Sequence, residues 1–171
     1  SLEAAKEVAR ALSVPPRPAY TTGFRGLNEM VRGFEPSAMY ILAARTGMGK
    51  TAVMLQMAVA AAGAGHSVLA ISLEMPRIQL ARRILCQMSG VPLKALKDGT
   101  VTPDQMSRIY AHSADFARMP LSFADSSSQT MLDIHSAVRT GKPNLLVVDH
   151  IGLIKAGTTN GSKRSREQEI A

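Results

Sequence analysis

Tryptophan is absent from the chain, and aromatic residues together make up only 4% of it. A core organised around large rings is excluded. Packing has to come from Ala, Val, Ile, Leu and the ten Met, whose unbranched thioethers make a soft, adaptable interior. Cysteine is limited to Cys86, so no disulfide can form within the chain, and the chemistry suits a reducing, cytoplasmic compartment. Cys86 lies on an apolar helix face and reads as a packing residue rather than a nucleophile. Long hydrophobic runs are also missing. The stretch from Met57 to Ala64 is too short to span a bilayer. The N-terminal stretch carries Glu3 and Glu7 and has no apolar core of the kind a secretion signal needs. His66, His112 and His135 show no metal-ligand spacing, and no internal repeat is visible.

What is present fits one globular domain of 171 residues. Hydrophobic residues make up 46% and charged residues 19%, as in ordinary soluble proteins. The net charge of +7 suits a polyanionic partner such as nucleic acid or nucleotide. The same balance is equally expected of a protein kept soluble by its charge.

Residues 1–19 read as a linker region. Leu2, Ala5, Val8, Ala9 and Leu12 fall on one side of a short amphipathic helix over 2–12, and Val14-Pro15-Pro16-Arg17-Pro18 is a stiff connector. An untidy chain end is the equal alternative. The body, 20–171, then alternates strand and helix. Met39 to Ala44 is an apolar run ending in a Gly-rich turn, and Lys50 to Ala62 has helical composition. Val68 to Ser72 reads as a buried strand. Pro76 to Met88 reads as a helix with Ile78, Ala81, Leu85 and Met88 at helical spacing. Thr102-Pro103-Asp104-Gln105 is a capping box opening a helix that carries Met106, Ile109 and Tyr110. A strand over Leu121 to Ala124, a helix over Thr130 to Arg139 and an apolar strand from Leu145 to Val148 follow. Strands this apolar are expected to be covered on both faces, and with helices between them they form a parallel α/β sheet.

The strongest chemical signal is Ala44-Arg45-Thr46-Gly47-Met48-Gly49-Lys50-Thr51, between a predicted strand and a predicted helix. That is the context a P-loop requires. Glycines let backbone amides turn inward and, with the helix N-terminus, make a nest for phosphate oxygens. Lys50 would reach the β- and γ-phosphates of ATP, and Thr51 would place its hydroxyl on Mg²⁺. The pattern wants Gly at its first position, where this chain has Ala44. Asp149 closes the strand Leu145-Leu146-Val147-Val148 at the strand end where ligands bind, and would hold the Mg²⁺ hydration shell. Glu74 ends the strand Leu69-Ala70-Ile71-Ser72-Leu73. Position alone leaves two roles open: a general base for water, or an acid favoured by the dipole of the helix beginning at Pro76.

Four segments, in order, resemble the DnaB-like replicative helicases. They are Thr22-Gly23-Phe24-Arg25-Gly26-Leu27-Asn28-Glu29-Met30, the Ala44 to Thr51 loop, Ser72-Leu73-Glu74-Met75-Pro76, and Val147-Val148-Asp149. The resemblance covers residues 20–171, and the Ser-Leu-Glu-Met-Pro segment separates this group from kinases and signalling GTPases. It implies a RecA-like P-loop NTPase with a mostly parallel sheet and helices on both faces. It assigns Lys50 and Thr51 to the P-loop, Asp149 to the second acidic motif and Glu74 to the catalytic glutamate. It further implies a homo-hexameric ring that moves 5′–3′ along single-stranded DNA, with ATP between subunits and with primase and a helicase loader as partners. Two departures stand out. His150-Ile151-Gly152-Leu153 replaces the family's usual Tyr-Leu-Gln-Leu; His150 reads as a packed residue, with nucleotide sensing as the alternative. The chain also stops before the family's later motifs, which supply a polar sensor and an arginine finger. It therefore looks like a fragment or a truncated paralogue and is expected to hydrolyse ATP slowly by itself.

Lys155, Lys163, Arg164 and Arg166 lie in or beside a polar, Gly-containing loop after Asp149. They are candidate phosphate contacts for single-stranded DNA, and equally a solvated charge run. Two further functions remain open: a RecA- or KaiC-like ATPase with another task, and a non-catalytic module that docks on a helicase ring or loader.

Overall fold

The structure, a computed structural model, describes residues 20–124 and 130–149, together with residues 2, 3, 5 and 6. The elements in chain order are α1 (Arg25–Val31), α2 (Lys50–Gly63), β1 (Val68–Ser72), α3 (Arg77–Ser89), α4 (Leu93–Lys97), α5 (Pro103–Arg118), β2 (Leu121–Ala124), α6 (Met131–Gly141) and β3 (Leu145–Asp149). Leu2, Glu3, Ala5 and Lys6 are helical and exposed; the rest of the linker helix expected over 2–12 lies outside the described residues.

Val68-Leu69-Ala70-Ile71 is apolar on both alternating faces, so its strand has to be covered from both sides. All five residues of β1 are buried. It runs down the middle of a three-stranded sheet ordered β2-β1-β3. Both neighbours are parallel to it: Val68 pairs with Leu121 and Leu145, and Ser72 pairs with Asp149. Parallel strands need crossover connections. Here β1 reaches β2 through α3, α4 and α5, and β2 reaches β3 through α6.

The small residues of α2 decide how closely it sits. Ala58, Ala61 and Ala62 are buried against Val68, with Leu121, Leu145 and Val147 alongside. Further along the same face, Met54 and Leu55 meet Leu80 and Ile84 of α3, flanked by Phe116, Phe123 and Val147. Leu55, Leu80 and Ile84 are all at 0% exposure, and each contributes about 1.5–3 kcal/mol by leaving water. The opposite face is covered by α6. Its Ile134, Ala137 and Val138 lie on Leu69, Ile71 and Val148. Helices therefore cover both faces of a parallel sheet, the α/β architecture expected from the sequence.

Helix ends follow their local chemistry. Thr102 and Gln105 complete the capping box of α5, with Pro103 at its first position. A second box, Thr130 with Asp133, opens α6. The Thr130 backbone amide, and then its hydroxyl, hold the Asp133 carboxyl below its ordinary range. Helix α3 ends at Gly90, whose φ of 64° is left-handed. Cys86 is buried in α3, and burial pushes its thiol upward, as suits a packing residue.

Some expectations are corrected. Met39 to Ala44 is not a buried strand: it forms no regular element, and Met39 and Ile41 are 82% and 76% exposed. Among the described residues no strand lies beside it, so its apolar residues have nothing to bury them. The inward stripe of α3 is Leu80, Ile84 and Cys86 rather than one containing Ile78, which is 58% exposed. In α5, Ile109 points inward while Tyr110 is 68% exposed. Strand β3 is also less covered than its composition suggests, with Leu146 exposed, because it is an edge strand among the described residues.

The segment before α1 is clasped to α2. Thr22 is fully buried, and its amide and hydroxyl both donate to Asn28 Oδ1, at 2.8 and 2.7 Å. Asn28 Nδ2 donates to Thr21 Oγ1. Gly23 has φ +77°, and a Cβ there would lie 2.6 Å from Ala60 Cβ of α2. Gly23→Ala is expected to destabilise the domain by about 1–3 kcal/mol through strain and overpacking. Gly26→Ala, in a helix and facing open space, should be neutral or slightly stabilising. Urea unfolding midpoints of the two variants check this; equal midpoints would show that the clasp tolerates a side chain.

Candidate functional site

The carboxyl ends of parallel strands open on one edge of the sheet, and that edge is where ligands bind in such folds. Here it is bordered by Asp149 at the end of β3, by the turn after Ser72 at the end of β1, and by the loop leading into α2.

The loop from Ala44 to Gly49 is exposed throughout, and Lys50 is half-buried. Gly47 and Gly49 have φ of +82° and +88°, in the left-handed region that favours glycine. A Cβ at either would meet nothing within 4 Å, so backbone conformation, not space, calls for glycine. This bends the chain back on itself, and the Met48 amide donates to Arg45 O at 3.3 Å. Lys50 folds over the bend, donating from Nζ to Ala44 O at 2.7 Å and to Arg45 O at 3.5 Å. Gly49 is the N-cap of α2. The positive end of the helix dipole and the Lys50 ammonium thus lie together at the loop, and the helix's own first turn contributes no acidic residue. Such an arrangement attracts an anion.

One contact ties this loop to the sheet. Thr51 Oγ1 donates to Asp149 Oδ2 at 2.7 Å across 98 residues of sequence. Asp149 is 5% exposed. A buried carboxylate facing a threonine hydroxyl in the first turn of a helix is a donor set for a hard divalent cation, which takes oxygen ligands. The residues present therefore fit a nucleotide with its magnesium.

Glu74 lies two residues past the end of β1 and is exposed at this same edge of the sheet. Sequence reasoning made it the end of the strand; the strand closes at Ser72 because the chain turns there. Ser72 and Thr22 enter the sequence reading only as members of their motif segments and with no role, although a Ser or Thr that can accept from an amide two or three residues on is a local turn signal. Lys155, Lys163, Arg164, Arg166 and His150 lie outside the described residues.

Fold and loop together define a class: a parallel α/β domain whose glycine-bent loop and helix N-terminus fit a nucleotide's phosphates. Comparison with known proteins narrows this. The DnaB-like helicase C terminal domain family matches residues 19–171, and the chain belongs to that family. It is 33% identical over 156 residues to the replicative DNA helicase DnaB of Leifsonia xyli subsp. xyli (strain CTCB07), covering 88% of this chain and 33% of that relative. It is 31% identical over 155 residues to DnaB of Geobacillus stearothermophilus, covering 88% of this chain and 34% of that one. The chain thus spans about a third of the length of the curated relatives it matches. Two solved structures share the fold. A DnaB-like replicative helicase, described with its interactions with primase, matches with TM-score 0.83 and 20% identity over 97% of this chain and 42% of its own. A second, solved as an ATPase domain, matches with TM-score 0.83 and 21% identity over 98% of this chain and 62% of its own. No helix among the described residues is long and apolar enough to cross a membrane.

Proposed function

We propose that this chain is the ATP-driven motor of a replicative DNA helicase, hydrolysing ATP to move a homo-hexameric ring along single-stranded DNA and unwind the duplex. The hydrogen bond between Thr51 and Asp149 carries the reading. It joins the phosphate loop to the acid at the end of a parallel strand, the pairing a magnesium nucleotide needs. Family membership supports it.

The chain's own residues divide the work. The backbone from Ala44 to Gly49 surrounds the phosphates, and Lys50 exchanges its two loop carbonyls for phosphate oxygens. Thr51 and Asp149 would hold magnesium. When bound, the ion neutralises charge on the phosphates. Glu74 takes a proton from water as its oxygen bonds to the γ-phosphorus. The bond to the bridging oxygen breaks, and its electron pair leaves with ADP. Lys155, Lys163, Arg164 and Arg166 contact the DNA backbone, and primase and a helicase loader are the partners expected of the assembled ring. A reducing cytoplasm suits a motor fuelled by ATP with one buried thiol.

Calorimetric titration of ATP into the chain, with magnesium and then with EDTA, tests the site. Binding that weakens on chelation is expected. The absence of heat in both conditions would refute nucleotide binding. A forked duplex presented to the full-length protein tests the motor, since strand displacement should require both ATP and magnesium. Displacement that persists without ATP would refute the coupling.

A further inference from the structure

Glu74 lies outside the regular hydrogen bonding of β1, so something other than the sheet must fix its direction. Ser72 is 2% exposed at the last position of β1 and pairs in register with Asp149. Its Oγ accepts from the Met75 amide at 3.0 Å, closing a turn over Leu73 and Glu74. The residues flanking Glu74 are anchored on opposite faces of the sheet. Leu73 is buried with Ile71 and Ile134, and its amide donates to Asp149 O at 2.8 Å. Met75 packs against Met54, Leu55, Leu80 and Ile84. Between these two anchors Glu74 is exposed at the edge that carries the phosphate loop.

From this geometry we infer that Ser72 is a positioning residue for hydrolysis. Its hydroxyl fixes the turn that aims the Glu74 carboxylate at the water. The inference rests on Glu74 acting as the general base. Ser72 touches no substrate. It acts through the backbone of the residue that follows Glu74, and by pairing with Asp149 it keeps the base in register with the acid bonded to Thr51. Without the hydroxyl, the Met75 amide loses its acceptor and the turn can relax. A displacement of about 1 Å at a reacting group can cost up to ~10²-fold in rate.

The test uses full-length protein and four variants: Ser72→Ala, Ser72→Thr, Glu74→Gln and the Ser72→Ala/Glu74→Gln double variant. ATPase kcat and KM, and affinity for fluorescent ADP, are measured for each. Ser72→Ala is expected to lower kcat by about tenfold to 10²-fold with ADP affinity unchanged. Ser72→Thr, which keeps a hydroxyl, should recover most of the rate. In the Glu74→Gln background, removing the Ser72 hydroxyl should cost nothing more, because its effect passes through that carboxylate. Unchanged kcat in Ser72→Ala would overturn the inference while leaving the base assignment intact. Loss of ADP binding in Ser72→Ala would also overturn it, by showing that the hydroxyl supports the fold instead. Undiminished turnover in Glu74→Gln would refute the base assignment itself, and the inference with it.

Discussion

Glu74→Gln in the full-length protein is expected to lower ATP turnover by about 10²–10⁴-fold, the usual contribution of a positioned general base. Nucleotide affinity should hardly change. The substitution keeps the size of the side chain and removes only its ability to accept a proton. Glu74 is exposed and lies outside the hydrophobic clusters, so the substitution leaves the apolar core untouched. The anchors on either side, Leu73 and Met75, are untouched. The variant should therefore fill with ATP and stall, with kcat reduced and KM similar or lower. Single-turnover hydrolysis measured beside equilibrium nucleotide binding separates the two quantities. Wild-type turnover would show that another group activates the water. A parallel loss of binding would place Glu74 in ground-state recognition instead.

The sequence made the central part of this arrangement legible because its signals are local. Leu121 to Ala124 was bounded to the residue, since a short apolar run between breakers leaves few alternatives, whereas the strand at Val68 to Ser72 also reads as running on to Glu74. The α5 capping box is a chemical pattern within four residues and was equally plain. The glycine spacing around Lys50 announced its own turn. What could not be read were properties set by neighbours. Met39 to Ala44 has the composition of a buried strand, but whether it is buried depends on what lies beside it. Spacing alone gives the α3 stripe as Ile78, Ala81, Leu85 and Met88. Contact with α2 at Met54 and Leu55 selects the face bearing Leu80 and Ile84. The Thr51–Asp149 contact spans 98 residues and depends on which strand lies next to β1. Each half was visible in the sequence as a motif, while their meeting is a property of the sheet.

The order β2-β1-β3 also explains why two acids from distant segments can serve one site. Because β1 and β3 are parallel and paired through Ser72 and Asp149, their carboxyl ends finish level. An antiparallel arrangement would have sent Glu74 and Asp149 to opposite edges. Helix α2 lies on this sheet through alanines, which lets its N-terminus approach that edge and brings Thr51 within hydrogen-bonding distance of Asp149. The site is thus a consequence of strand direction and small side chains, with the loop glycines adding the final bend.

Lys50→Ala is expected to weaken ATP binding by about 10²–10³-fold, comparable to removing one preorganised donor from a charged site, and to abolish unwinding by the full-length protein. The fold should survive. The two bonds made by Lys50 end on carbonyls of an exposed loop, where water can replace them, and its side chain belongs to none of the hydrophobic clusters. Its contribution lies in charge. The helix dipole alone supplies roughly half an elementary charge, whereas the triphosphate carries several. Arg45 is in the same loop but on the other side of the bend, and it cannot take over a position defined by the start of α2. Lys50→Arg is expected to recover little, because a planar fork does not replace a compact ammonium in a closely wound loop. Calorimetry with magnesium and ATP, beside thermal unfolding by circular dichroism, checks both halves. Equal unfolding midpoints with lost heat of binding support the assignment. Undiminished heat in Lys50→Ala would mean that the triphosphate is held elsewhere, and the loop between Ala44 and Thr51 would then be a turn leading into a helix and nothing more.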